Sequence, residues 1–179
     1  MEMTTNETMG KIAQTEDILE KIGKEYGKKV VFTSSFGAED MVITHLISKL
    51  DLDIEIATID TGRLHQDTYD FIDRAVMFYG LKLKSYFPVA SEVEEMVRKS
   101  GYNLFYYSQE NRKFCCNIRK VNPLEKILTG KNAWITGLRS EQTKFRQTLG
   151  IMEKDTTRGI LKVNPLIYWT SSDVWDFIK

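Results

Sequence analysis

Cysteine is scarce in this sequence: only two of its 179 residues are cysteine, adjacent at Cys115 and Cys116. That excludes the disulfide scaffold of a small secreted protein. Histidine is equally scarce, at two residues, so a conventional zinc site has few nitrogen ligands to draw on. Net charge is absent, because 25 basic and 25 acidic residues cancel. No overall field argues for nucleic acid or an anionic membrane, and any anion site must be a local cluster. No apolar run reaches the roughly 18 residues of a membrane span. The start, "MEMTTNETMGKIAQTEDILEK", is polar and acidic and lacks the apolar core of a signal peptide. No Pro/Gly/Ser-rich linker, repeat or low-complexity tract divides the chain. What remains, 42% hydrophobic and 28% charged, is the composition of one ordinary globular domain. It is expected in the cytoplasm, where thiols stay reduced or bind metal.

Residues 1–14 are expected to be a flexible start and 15–179 a single nucleotide-binding domain. "TEDILEKIGKEYG" predicts a helix with Thr15 as cap and Gly27 at its end. The β-branched "KKVVFTSS" predicts a buried strand. "GAEDMVITHLISKLD" predicts a helix, with Ile43, Ile47 and Leu50 on one face. "DIEIATID" and "LKLKSYFP" follow as strands, separated by the helix "QDTYDFIDRAVMFYG" and its closing Gly80. "SEVEEMVRKSG" reads as a short helix capped by Ser91, "NAWITGL" as a fourth strand and "GILKVNPLI" as a fifth. "WTSSDVWDFIK" begins a last helix, capped by Ser171 or Ser172, that stops after about two turns. Alternating strands and helices predict an α/β fold, a mostly parallel sheet with helices on both faces.

Ligands of such sheets sit at the carboxyl ends of the strands. Three loops there carry polar signals. In "TSSFGAED", Ser34, Ser35, Phe36 and Gly37 lead into a helix start, which suits a phosphate cradle or simply a Ser-rich cap. It is no Walker loop, having no "GK[ST]". Glu39 and Asp40 favour the helix dipole but repel a phosphate brought too near, so contacts belong to the loop. In "TIDTGRLHQDTYDF", Asp60, Thr61, Gly62 and Arg63 form a tight turn beside a fixed positive charge, or a turn and cap only. In "WITGLRSEQTKFRQT", Gly137 ends a strand, and Arg139, Lys144 and Arg146 form either an anion site or a solvated basic loop. Three strand-end signals together favour a nucleotide or other polyanion.

Cys115 and Cys116 admit four readings. They are buried neighbours by chance, a strained disulfide, part of a zinc site, or two of four thiolate ligands to an iron–sulfur cluster. The zinc reading lacks the usual spacing, and His45 and His65 are better explained as structural. In the cluster reading, Arg119 and Lys120 offset the anionic charge.

The stretches "SSFGAED", "DTGRLHQDTYDF", "CCNIRKVNPL", "GLRSEQTKFR" and "WTSSDVWDFI" resemble, in order and spacing, the assimilatory sulfonucleotide reductases. These enzymes reduce adenylyl sulfate or its 3′-phosphorylated form to sulfite. The resemblance covers most of residues 30–178 and implies an adenine-nucleotide α-hydrolase-like (Rossmann-like) fold. The adjacent cysteines resemble the iron–sulfur branch, which implies adenylyl sulfate as substrate, Cys115 and Cys116 as ligands of a 4Fe-4S cluster, and thioredoxin or a similar dithiol as reductant. Lys120 then lies close to both cluster and sulfate. Ser34, Ser35, Phe36 and Gly37 match the substrate loop, and Asp60, Thr61, Gly62 and Arg63 the segment around the nucleotide. Gly137, Arg139 and Arg146 match the motif that holds the phosphosulfate. The family pattern continues into a C-x-x-C pair and a nucleophilic cysteine that would lie beyond Lys179. The chain is therefore expected to bind nucleotide without turning it over. Three other expectations stand beside this one: a phosphoadenylyl-sulfate reductase, an ATP pyrophosphatase relative, and a non-catalytic nucleotide-binding module. The ATP pyrophosphatases need an "SGGxDS"-like loop, and "SSFGAED" lacks its double glycine.

Overall fold

The structure, a computed structural model, describes residues 6–179. Six strands form one sheet: β1 (Val30–Thr33), β2 (Glu55–Ile59), β3 (Lys84–Tyr86), β4 (Ala133–Ile135), β5 (Met152–Asp155) and β6 (Ile160–Val163), in the order β3-β2-β1-β4-β6-β5. Every pairing is parallel except that of β5 with β6. β1 explains why the sheet needs cover on both sides. Val30 and Phe32 enter one apolar cluster with Leu19, Ile43 and Leu46, while Val31 faces the other way onto Ile127 and Leu128. Alternate β1 side chains thus point into two cores, the arrangement that forces helices onto both faces.

The helices are α1 (Asn6–Tyr26), α2 (Ala38–Lys49), α3 (Gln66–Tyr79), α4 (Ala90–Ser100), α5 (Gln109–Cys116), α6 (Asn122–Leu128) and α7 (Ser171–Ile178). A π-helical turn, Asn117–Val121, joins α5 to α6 in one continuous helical run. Pro123 gives its cause: with no N–H, and with a ring that crowds the carbonyl four residues back, it cannot continue an α-helical ladder through Arg119.

Several boundaries differ from the expectations. Residues 1–5 of the expected flexible start lie outside the described residues, and 6–14 are helical. α1 starts well before Thr15 because tertiary contacts hold its first turns: Thr8 and Thr15 are buried, and the Thr8 hydroxyl donates to Asp173 at 2.9 Å. α4 is capped by Val89 rather than Ser91. α7 is capped by Thr170 rather than by either serine, through a reciprocal box in which the Asp173 carboxylate accepts from the Thr170 amide and hydroxyl. β5 was not expected. It is an exposed edge strand with a polar sequence, folded back on β6 through the turn ending at Gly159 (φ 71°).

Asp173 is buried, and its carboxylate also accepts from Lys11 Nζ at 2.7 Å. Burial alone raises its pKa, but the bonds from Lys11, Thr170 and Thr8 outweigh it and hold the group well below the usual carboxylate range. A depressed folded-state pKa contributes stability that is present above the unfolded value, near 4, and is lost as pH falls. Asp173→Asn should therefore cost about 1–3 kcal/mol at neutral pH, measured by urea denaturation, and the gap to the parent chain should shrink below pH 4. A gap that stays constant with pH would show that the bonds, not the charge, carry the effect.

Candidate functional site

The chain builds β1 to β3 outward on one side of the sheet, then crosses to place β4 on the other side of β1. The crevice outside the carboxyl ends of β1 and β4 is thus the topological switch point, where open α/β sheets bind ligands. A cavity of about 480 Å³ opens there. Its apolar lining includes Ile59, Leu64, Ile72, Leu124 and Trp134, and its polar lining includes Ser34, Ser35, Thr61, the cations Lys120 and Arg146, and the carboxylates of Glu39 and Asp40. The size and the mixture suit a ligand with a flat apolar end and an anionic end.

The β1–α2 loop is wound tightly. The Phe36 amide donates to Ser34 Oγ at 3.1 Å, and the buried Phe36 holds a left-handed backbone (φ 59°). A phenylalanine there costs about 1–3 kcal/mol, which the surrounding contacts must offset. Gly37 caps α2 through its carbonyl, which accepts from Met41. Behind the loop, the Asp40 carboxylate accepts from the Ser35 amide at 2.5 Å and the Ser35 hydroxyl at 2.7 Å. Burial is the main reason the Asp40 pKa is raised, with the Ser35 bonds and the Lys120 charge acting against it.

The expected residues of the second loop divide. Thr61 lines the cavity, but Asp60 accepts from the Gly62 amide at 2.7 Å and the Tyr69 hydroxyl at 3.0 Å, so it shapes the turn. Arg63 turns away, lying over Phe105 and donating to Asn103 at 2.9 Å. Gly62 adopts a positive φ of 68°, with the Arg119 guanidinium packed against it. Arg119 is buried and donates to the Thr61 carbonyl at 2.7 Å, tying the π turn to this loop. In the sequence Arg119 is only a charge beside Lys120. Its position becomes visible only once Pro123 has forced the π turn.

The basic loop also divides. Arg146 lines the cavity, its guanidinium donating to Gln142. Arg139 does not line it: buried, it donates to Glu39 at 2.8 Å and Glu141 at 3.0 Å. Burial raises the Glu39 pKa, but the bond and charge of Arg139, with the backbone and Gln142 bonds, together outweigh it and leave it lowered. Glu141 further accepts from the Ser171 amide at 3.1 Å, so one ion network ties α2, the basic loop and α7 together. Lys120 makes no hydrogen bond or ion pair among the described residues; it shares the cavity lining with Asp40, whose pKa its charge slightly lowers.

Cys115 is buried in a small cluster with Met96, Leu104 and Ile118, and Cys116 is exposed. Both are free thiols, and successive positions on a helix diverge by about 100°. Among the described residues, no group of three or more His, Cys, Asp or Glu side chains could hold a metal ion. His45 packs between Tyr79 and Phe177, and His65 stands at the N-cap position of α3, exposed and without a side-chain capping bond. Trp134 and Leu124 were not foreseen as cavity residues, having no polar signal in the sequence. No helix of the described residues is long and apolar enough to cross a membrane.

Residues 29–179 match the family described as phosphoadenosine phosphosulfate reductase domain. Similar proteins include an adenosine 5′-phosphosulfate reductase from Burkholderia cepacia, 43% identical over 98% of this chain and 70% of that one. Another, from Allochromatium vinosum, is 39% identical over 91% of this chain and 63% of its own. The chain thus spans about two thirds of the length of these relatives. Among solved structures, a phosphoadenylyl-sulfate reductase from Candida auris, in a phosphate complex, superposes with a TM-score of 0.77 at 25% identity, covering 99% of this chain and 87% of that one.

Proposed function

Because the chain belongs to the phosphoadenosine phosphosulfate reductase family, we propose that it is the nucleotide-binding core of an adenylyl-sulfate reductase. The observation that carries this reading is the strand-end cavity itself. Leu124 and Trp134 in its lining suit a purine ring, and Lys120 and Arg146 suit the charge of a phosphosulfate. The three loops that create it are those in which the sequence resembles the reductases.

The reaction takes sulfur from the sulfate to the sulfite level. A thiolate attacks the sulfur, and the bond to the phosphate oxygen breaks with its electron pair leaving on AMP. A second thiol, from thioredoxin or a similar dithiol, releases sulfite as a disulfide forms. This chain's residues do the binding and charge neutralisation. Lys120 and Arg146 stabilise negative charge gathering on the sulfonate and the leaving phosphate, and the Ser34–Ser35 loop orients the anion beside them. The attacking thiolate is not assigned to Cys115 or Cys116. Those two thiolates suit an iron–sulfur cluster, which would place a compact charged group beside Lys120. They would be two ligands of a set of four, and among the described residues no group of three or more His, Cys, Asp or Glu side chains forms that could complete it. Free thiols and balanced charge fit a cytoplasmic enzyme acting on a small nucleotide.

Isothermal titration under anaerobic conditions tests the reading. Adenylyl sulfate should bind saturably and more tightly than 3′-phosphoadenylyl sulfate, with AMP weaker than adenylyl sulfate. No detectable affinity for adenylyl sulfate or AMP would overturn it. Release of AMP from ATP would point instead to an ATP pyrophosphatase.

A further inference from the structure

Asp40 is the least expected group in the cavity, since a carboxylate behind an anion site should repel what the site binds. Its contacts give it a different task. One oxygen, Oδ2, takes both the amide and the hydroxyl of Ser35. The other, Oδ1, lies against Gly137 so closely that a Cβ there would overlap it and would come within 3.2 Å of Cγ and 3.4 Å of the Asp40 amide nitrogen. Asp40 is buried and belongs to the first turn of α2, so it has little freedom to yield. Ser35 belongs to the loop after β1 and Gly137 to the loop after β4, and these two loops flank the switch point of the sheet.

We propose that Asp40 is a positioning residue for the anion cradle: through Oδ2 it fixes the wound Ser34–Gly37 turn, and through Oδ1 it sets how closely the β4 loop approaches that turn. Gly137 is glycine here because Asp40 occupies the space of a side chain, and not because its backbone needs a positive φ, which it does not have. The strained Phe36 backbone is the conformation this carboxylate holds in place. The inference rests on the strand-end cavity being the nucleotide site.

Both Ser35 bonds go to one oxygen, which gives the test its discrimination. Asparagine can offer its amide oxygen to Ser35 and still fill the space beside Gly137, whereas alanine can do neither. Calorimetric titration with adenylyl sulfate, AMP and adenosine should therefore show Asp40→Ala binding both anionic nucleotides about tenfold more weakly, with adenosine affinity unchanged. Asp40→Asn should restore most of the loss. Gly137→Ala should weaken AMP binding in the parent chain but add little in the Asp40→Ala background, because the atom it collides with is gone. Thermal melts of each variant confirm folding. Equal losses in Asp40→Asn and Asp40→Ala would overturn positioning by hydrogen bonds, and additive losses for Gly137→Ala would overturn the spacing role. A parent chain that binds neither nucleotide overturns the site assignment itself, whereas a binding parent with an unaffected Asp40→Ala overturns this inference alone.

Discussion

Replacing Lys120 with alanine should weaken adenylyl sulfate binding about ten- to hundredfold while leaving the fold intact. The magnitude follows from the loss of one charge-assisted contact, worth about 1.5–3 kcal/mol. The direction follows from where Lys120 stands. It projects from the π turn into the cavity, and among the described residues it has no ion pair to satisfy it. A cation engaged elsewhere would have to break that pair before meeting a ligand, and Lys120 does not. Adenosine, without the phosphosulfate, should bind the variant as it binds the parent, and Lys120→Arg should retain much of the affinity. The loss should also narrow at high salt, because the site is open to solvent. Equal binding of adenylyl sulfate by parent and variant would show that Lys120 is a solvated surface charge.

Arg139→Ala is expected to act mainly on stability. The Arg139 side chain is 10% exposed and that of Glu39 21%, so their pair is largely withdrawn from water, whereas Glu141 is 50% exposed and adds less. Removing one partner of a buried pair leaves the other charge uncompensated. Discounted for the partial exposure, a cost of about 2–4 kcal/mol follows, a fall in melting temperature of roughly 5–12 °C for a chain of this size. Glu39, unmasked beside the Ser34–Gly37 loop, should also oppose the anion. Adding Glu39→Gln to Arg139→Ala should therefore recover both stability and affinity in part. If Arg139→Ala instead lost affinity with no change in melting temperature, the guanidinium would be a ligand contact and its carboxylate partners incidental.

The contrast between Lys120 and Arg139 shows where sequence reading reached its limit. Both are basic residues in stretches that resemble the reductases. Only the fold reveals that Glu39, far away in sequence, meets Arg139, while among the described residues Lys120 makes no hydrogen bond or ion pair. The strands were legible where β-branched runs cross the core, as in β1 and β2, because both faces are buried and the composition says so. β5 was not legible, since an exposed edge strand of sequence Met152–Asp155 carries no such run. The early start of α1 depends on Thr8 reaching Asp173, a contact that no local pattern announces. Asp40 and Gly137 are each readable as ordinary cap and turn residues. Their shared role exists only where the β1 and β4 loops touch.

The proposed adenylyl sulfate site lies at the carboxyl ends of β1 and β4. A second, larger groove of about 570 Å³ lies at the opposite end of the sheet, lined by the N-terminal ends of β2 and β3, with Leu52, Ile54, Tyr79 and Leu81 among its residues. Amide chemical-shift mapping of the isotope-labelled chain during titration with adenylyl sulfate separates the two. The largest saturable shifts should fall on Ser34 to Gly37, Thr61, Lys120 and Gly137. Shifts concentrated on Leu52, Ile54 and Leu81, or none at saturating ligand, would contradict the account.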